Sequence, residues 1–133
     1  MANSKKEGIE LYENLGRLFY AMAKIDGNVH TKEMDKLKEF IRKHWLYVDA
    51  VQDDFGTDAA FQIETVFDWL SEHERDGNEC FHKFRDFYII NKDRFTPYIK
   101  VLILDTAHAM ANAFAGKNKG ELVLLARLEL ILK

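Results

Sequence analysis

The sequence predicts an all-α fold: one helical bundle of about six helices, in a single domain that spans residues 1–133. Residues that break helices are scarce, since the chain has 7 glycines and 1 proline among 133 residues, about half their usual combined share of roughly 12%. Apolar residues recur at helical spacing along most of the chain. With 47% hydrophobic and 31% charged residues, the composition is that of a globular domain and excludes a disordered chain.

Helix 1 is predicted over residues 6–25 and helix 2 over residues 31–45. One face of helix 1 is apolar, and Asn14 and Arg17 are predicted on the opposite, solvent-facing side. Gly27 ends this helix, because glycine readily adopts the left-handed conformation that follows a helix. Thr31 is the predicted N-cap of helix 2, and His44 is predicted as a packed core histidine. The segment 46–57 is ambiguous.

Helix 3 is predicted from residue 57 or 58 to residue 73, and helix 4 over residues 78–90. Phe61 and Trp69 lie off the main apolar face of helix 3. That helix is therefore either covered on two sides or presents an aromatic surface. The core face of helix 4 is predicted to consist of Cys80, Phe81, Phe84, Phe87 and Tyr88.

Helix 5, predicted over residues 97–114, has the clearest start: Thr96 as N-cap and Pro97 at the first helical position. Its polar stripe is narrow and contains Asp105 and His108, so it is predicted to be the central buried helix. Helix 6 is predicted to begin at a cap at Asn118 and to end at residue 132. Nine of the eleven residues in 122–132 are apolar, so this helix must pack in a core or against a partner.

Charge and composition exclude several classes of partner. The formal net charge is −3 and basic residues are scattered among acids, so nucleic acid is not an expected partner. No apolar run approaches the ~20 residues of a membrane span, and the first eight residues lack the apolar stretch of a signal peptide. The single cysteine, Cys80, excludes an internal disulfide and fits a reducing compartment. We therefore expect a cytoplasmic protein.

A weak internal repeat relates the two ends of the chain. Residues 19–33 and residues 107–121 each contain a helix rich in small residues, a glycine turn and a glutamate early in the next helix. The turn glycines, Gly27 and Gly116, are 89 positions apart. This spacing predicts two related helical hairpins, at about residues 11–45 and 97–132.

The first of these copies resembles the TerB-like family, known from the tellurite-resistance protein TerB and the N-terminal part of the DjlA co-chaperone. The matching residues are Ala23, Asp26, Gly27, Val29 and Glu33. The resemblance implies an all-helical bundle, with metal or oxyanion sensing and stress-linked scaffolding at the membrane or with partners as its expected roles. The second copy departs from the family pattern, because Ala115 stands where the aspartate is expected. This departure puts a paired acidic metal site in doubt.

The sequence predicts no cofactor, and the alternative is a divalent metal ion at one of two sites that contain carboxylates. Asp26 and Glu33 are oxygen donors suited to a hard cation, although capping of helix 2 is the commoner role for such residues. Asp105 and His108 would form a carboxylate–histidine metal site if buried; the alternatives are an exposed edge or a satisfied core pair. The carboxylate–histidine spacing of Glu79 and His82 suits a di-iron site, but helical phase places both side chains toward solvent.

No phosphate loop, HExxH or GxSxG motif occurs, so none of the enzyme classes that these motifs mark is indicated. The sequence hypothesis is a non-enzymatic binding or scaffold module, with Phe61 and Trp69 as the leading residues for binding a protein partner. The alternative to a different protein partner is a second copy of the chain, bound through helix 6 to form a homodimer. The alternative function is that of a metal-binding protein or metalloenzyme with its site in the helical core.

Overall fold

A computed structural model describes residues 2–24, 31–45, 59–113 and 119–132. Within these ranges the chain is all-α, as predicted, and contains no strand. It forms α1 (Ala2–Lys24), α2 (Thr31–Trp45), α3 (Ala59–Glu72), α4 (Gly77–Ile90), α5 (Pro97–Ala113) and α6 (Lys119–Leu132). A short 3₁₀ turn, Lys92–Arg94, which the sequence did not predict, joins α4 to α5.

The helix starts follow local capping chemistry. The Thr96 hydroxyl accepts a hydrogen bond from the Ile99 N–H at 3.2 Å, which confirms the predicted cap before Pro97. The helix α4 begins one residue earlier than predicted, because the Asp76 carboxylate accepts from the Glu79 N–H at 3.1 Å and so acts as its N-cap. The predictions for Gly27, Gly116, Asn118 and the segment 46–57 fall outside the described residues.

The central helix is α1, and the prediction that α5 occupies this position is wrong. The helix α1 packs against α3, α4, α5 and α6, and each residue from Leu11 to Ala23 is buried or half-buried. One side of α5 is instead exposed. The sequence predicts a central position for α5 because few of its residues are polar. The number of helices that pack against a given helix, however, depends on the tertiary structure.

The predicted solvent face of α1 is also wrong at Asn14, which is buried. Its side-chain amide donates to the Glu10 carbonyl at 2.8 Å, and its oxygen accepts from the Arg17 guanidinium at 3.0 Å. Both partners lie within one turn on the same helix. The burial is tolerated because these local hydrogen bonds satisfy the amide.

The helices α1 and α3 approach closely at Gly16. A β-carbon built on this glycine would lie 2.9 Å from the Val66 Cβ and 3.0 Å from the Ile63 carbonyl oxygen. These distances are shorter than van der Waals contact, so only glycine fits there without movement of α3. The contact places the buried side of α3, which includes Phe67, against α1.

The helix α2 is held by a buried polar contact at its end. The Trp45 indole Nε1 donates to the Thr106 hydroxyl at 2.9 Å, and that hydroxyl donates to the Leu102 carbonyl at 2.8 Å. The Trp45 ring also meets Phe19 of α1 edge to face, with 6.1 Å between ring centroids. One tryptophan therefore joins α2 to both α1 and α5, with its only polar atom satisfied.

Ion pairs align α2 with α3. Arg42 Nε lies 3.1 Å from a Glu64 carboxylate oxygen, and the ammonium of Lys38 pairs with the Asp68 carboxylate. The two pairs are one helical turn apart on each helix and run in opposite sequence directions, so α2 and α3 are antiparallel. The Glu64 hydrogen bond and charge raise the pKa of Arg42.

Replacing Gly16 with alanine tests the close approach of α1 and α3. Alanine has the higher helix propensity by about 1 kcal/mol, yet we expect Gly16→Ala to lower the free energy of unfolding by about 1–3 kcal/mol through overpacking. Denaturant titration measures the change. Gly77→Ala is the control and should cost less, because the nearest atom to its added Cβ, the Ala21 carbonyl oxygen, is 3.3 Å away. Unchanged or increased stability of Gly16→Ala would contradict the contact.

Replacing Thr106 with valine tests the anchor of α2. Valine keeps the shape but leaves the buried Trp45 N–H without an acceptor, so we expect a loss of about 1–3 kcal/mol in unfolding free energy. Thr65→Val is a matched control, since the Thr65 hydroxyl also donates to the carbonyl four residues earlier, at 2.8 Å, but is exposed. Its effect should stay within about 0.5 kcal/mol. Equal losses in the two variants would show that the bond to Trp45 contributes nothing.

Candidate functional site

The structure places Asp105 and His108 on the exposed side of α5. The alternative of an exposed edge is therefore the one observed, and the two residues do not form a buried pair. The nearest carboxylate partner of His108 is Glu129 of α6, whose oxygen lies 3.0 Å from the imidazole Nε2. Sequence reasoning missed Glu129, because nothing in its local pattern indicates which residue of α5 it faces.

The other predicted metal residues remain open. Asp26 lies outside the described residues, and Glu33 falls in the first turn of α2 with its side chain outside the described part. Where the structure does describe side chains, no group of three or more His, Cys, Asp or Glu residues is placed to hold a metal ion. Metal binding at Asp26, Glu33, Asp105 or His108 therefore stays a prediction.

The residues around the start of α4 behave as helical phase predicts. Glu79 and His82 are exposed, and the Glu79 carboxylate lies 3.5 Å from the Lys83 ammonium. Cys80 is buried, and burial raises the pKa of its thiol. A buried thiol with a raised pKa is a poor nucleophile.

At the end of α2, His44 is half-buried rather than packed in the core.

An aromatic surface lies on the outer side of α3. Phe61 is 62% exposed and Trp69 is 46% exposed. The sequence left open whether α3 is covered on two sides or presents an aromatic surface, and the structure shows the aromatic surface. Thr65 lies between them and is also exposed. The two aromatics are eight positions apart in the sequence, which places them about 12 Å apart along the helix. We call Phe61, Thr65 and Trp69 the α3 aromatic face.

Two side chains pack against the Trp69 indole. The His73 imidazole stacks on it, with ring centroids 4.0 Å apart and 19° between the planes. The Arg75 guanidinium carbon lies 5.2 Å from the indole centroid, within cation–π range. His73 is itself tied to the backbone, since its Nδ1 is 2.8 Å from the Trp69 carbonyl oxygen. The indole is thus exposed to solvent but packed against an imidazole and a guanidinium.

The turn after α3 sets the position of Arg75. The Arg75 N–H donates to the Leu70 carbonyl at 3.1 Å and the Glu74 N–H donates to the Ser71 carbonyl at 3.2 Å, the pattern of a Schellman helix end. Glu74 has a positive φ of 47° at the position where glycine is usual. The Tyr20 hydroxyl of α1 donates to the Arg75 carbonyl at 2.6 Å, which ties the turn to the central helix.

Sequence reasoning found the two aromatics but missed His73 and Arg75. A signal was present, because His73 follows Trp69 at a spacing of four, where side chains meet on a helix. Arg75 carried no such signal, since it follows the end of α3 and its direction depends on the turn.

Acidic residues surround the C-terminal end of the α3 aromatic face. Asp68 and Glu64 are neutralised by their ion pairs with Lys38 and Arg42 of α2. Three further carboxylates, those of Glu72, Glu74 and Asp76, are exposed at the end of α3 and in the turn that follows. This end of the surface therefore combines a fixed aromatic ring with negative charge.

Other large apolar side chains are exposed at separate places. The ones on α4 and α5 are Ile89, Ile90, Tyr98 and Val101. The helix α6 divides its apolar residues: Leu124 and Leu128 are buried, whereas Val123 and Leu130 are exposed. Within the part of the chain that the structure describes, no helix is both long and apolar enough to cross a membrane.

Comparison with known proteins returned no match: no protein-family model, no curated protein and no solved structure is significantly similar to this chain.

The Tyr20 hydroxyl provides a test of the tie between α1 and the turn. Burial, with smaller effects from Cys80, Glu74 and Asp76, raises the pKa of Tyr20 to about 12, from an ordinary value of 10.0. The folded protein therefore keeps this proton while the unfolded chain loses it, so the stabilisation is complete below pH 10 and is lost as the pH rises toward 12.

We expect Tyr20→Phe to lower the free energy of unfolding by about 1 kcal/mol at pH 8, because the Arg75 carbonyl loses its donor. We also expect the variant to show a shallower loss of stability between pH 10 and pH 12. Urea titrations at several pH values measure both effects, with Tyr98→Phe at an exposed tyrosine as the control. A pH profile that is the same for wild type and Tyr20→Phe would contradict the buried tyrosine.

Proposed function

We propose that this protein is a non-enzymatic binding or scaffold module and that the α3 aromatic face is its docking surface for a protein partner. The observation that carries the proposal is Trp69, which is exposed to solvent and yet held by His73 and Arg75. A large apolar ring in water costs free energy that a partner can recover by covering it. Tryptophan, tyrosine and arginine also contribute a disproportionate share of binding energy in protein interfaces.

Preorganisation strengthens this assignment. A side chain that is already fixed loses less rotamer entropy when a partner covers it. The indole is held by a stacked imidazole and by the guanidinium of a turn that Tyr20 anchors to α1. The second anchor, Phe61, lies two helical turns away on the same rigid helix. The face therefore suits a partner that presents two apolar pockets or an apolar helix side.

We further propose that the module is related to the TerB-like proteins and acts in a cytoplasmic stress response, with tellurite among the candidate stresses. The motif residues Ala23, Asp26, Gly27, Val29 and Glu33 support the relation, together with the all-helical fold. The one cysteine, buried as a free thiol, is consistent with a reducing compartment. Self-association through α6 stays a prediction, supported by its exposed Val123 and Leu130.

Alanine substitution separates a docking role from a structural one. We expect Phe61→Ala and Trp69→Ala each to change the free energy of unfolding by less than about 1 kcal/mol, because both side chains are exposed. The control, Phe67→Ala, removes a buried ring on the inner side of α3 and should cost about 3–5 kcal/mol. Denaturant titration checks these values. A loss as large as that of Phe67→Ala would assign Phe61 or Trp69 to the core.

A photo-crosslinking amino acid at position 61 tests docking itself, in the cells that make the protein. We expect a discrete crosslinked protein product that Trp69→Ala abolishes, since both aromatics belong to one surface. The same crosslinker at position 43, exposed on α2, should not form this product. If both positions give the same products, or if Trp69→Ala leaves the product unchanged, the α3 aromatic face is not the docking surface.

A further inference from the structure

We infer that the partner of the α3 aromatic face is a cationic protein segment, which carries lysine or arginine next to large apolar side chains. The inference rests on the proposed function, because it names the chemistry of the partner at the same surface. The apolar side chains of the segment cover Phe61 and Trp69. Its cations meet Glu72 and Glu74, which follow Trp69 at the end of α3 and in the turn after it.

The carboxylates of Glu72 and Glu74 have no cation beside them to pair with. Both residues are exposed, and neither forms an ion pair within the described part of the chain. The carboxylates of Glu64 and Asp68 differ in this respect, because both pair with basic residues of α2. Glu72 follows Trp69 by three positions, so the two side chains are neighbours on one side of the helix.

The cations near this end of α3 do not neutralise it. Arg75 packs on the Trp69 indole, with its guanidinium carbon 5.2 Å from the ring centroid, and Lys24 of α1 lies beside Gly77. Neither cation forms an ion pair with a carboxylate of the described residues. With the exposed Asp76, this end of the molecule has three carboxylates for these two cations, so a net negative charge remains.

The end of the helix α3 adds to this negative charge. The last carbonyl groups of a helix carry a partial negative charge, which basic side chains usually complement. The last turn of α3 contains no basic residue and ends instead at Glu72. A carboxylate at this position is unfavourable in the free protein, so a cation from a partner removes an unfavourable interaction as well as forming a favourable one.

The sign of this charge selects among the partners that could cover the exposed rings. An anionic membrane or a nucleic acid would be repelled, and two copies of the same face would bring like charges together. A cationic protein segment is attracted, and it can place its apolar side chains at the centre of the interface and its charges at the rim. This arrangement is the usual one in protein interfaces.

The spacing along α3 defines the segment further. Phe61 and Trp69 lie about 12 Å apart, which is two turns of a helix. A partner helix that runs along α3 therefore needs large apolar residues about two turns apart, with lysine or arginine about one turn beyond them.

Matched peptides test the inference. Two amphipathic helical peptides share the same leucine face, and the polar face of one consists of lysine while that of the other consists of glutamate. The test variant carries Glu72→Gln and Glu74→Gln. The control carries Asp93→Asn and Asp105→Asn, which removes two exposed carboxylates outside α3 and changes the net charge equally. Circular dichroism and thermal unfolding establish that both variants are folded, and isothermal titration calorimetry with the full chain measures the dissociation constants.

We expect the lysine peptide to bind the wild type about tenfold more tightly than the glutamate peptide does at low ionic strength. This difference should shrink at about 0.5 M salt, because exposed charges are then screened. The test variant should bind the lysine peptide about fivefold more weakly than the wild type, since two exposed charge pairs are lost. The control should stay within about twofold of the wild type.

Equal binding of the two peptides overturns the inference, as does a lysine peptide that fails to bind or that loses equal affinity for the test variant and the control. Docking itself has a separate readout in the crosslinked product from position 61. If Trp69→Ala abolishes that product while Glu72→Gln with Glu74→Gln leaves it unchanged, the docking surface stands and the cationic partner is excluded. Loss of the product in both variants, with mass spectrometry locating the crosslink in a lysine-rich or arginine-rich segment, supports the inference.

Discussion

The burial of α1 on nearly all sides is the constraint on which the rest of the structure depends. From Leu11 to Ala23 this helix has no exposed residue, because α3, α4, α5 and α6 all pack against it. Gly16 allows α3 to approach α1 more closely than a residue with a side chain would. Asn14 is satisfied within its own helix and therefore does not need water. Each outer helix can then bury only the side that faces α1, and its remaining side is left for solvent or for a partner.

The candidate docking surface follows from this arrangement. Once Gly16 and Val66 fix the inner side of α3, Phe61 and Trp69 have no core position to occupy. The same central helix reaches the next turn through Tyr20, whose bond to the Arg75 carbonyl helps place the guanidinium over the indole. A buried tyrosine on another helix in this way contributes to the surroundings of an exposed tryptophan. The packing of α3 against α1 therefore accounts both for the buried side of α3 and for its exposed aromatic residues.

Much of the candidate site was accessible from the sequence, but its geometry was not. Helical phase separated Phe61 and Trp69 from the apolar side of α3, because a period of 3.6 residues sorts side chains by direction. The same reasoning provided only part of the geometry for Asp105 and His108. It identified a polar stripe on α5 but had no means of showing that His108 faces Glu129 of α6.

The sequence by itself determined the helical class, the extent of α2 and the cap at Thr96, because these depend on residues within a few positions of one another. Only the tertiary structure decided that α1 and not α5 is central, that Asn14 is buried, and that Trp45 bonds to Thr106 across 61 positions. The physical reason is that the periodicity of apolar residues indicates only which side of a helix is apolar. The number of sides that neighbours cover depends on how all the helices fill space together.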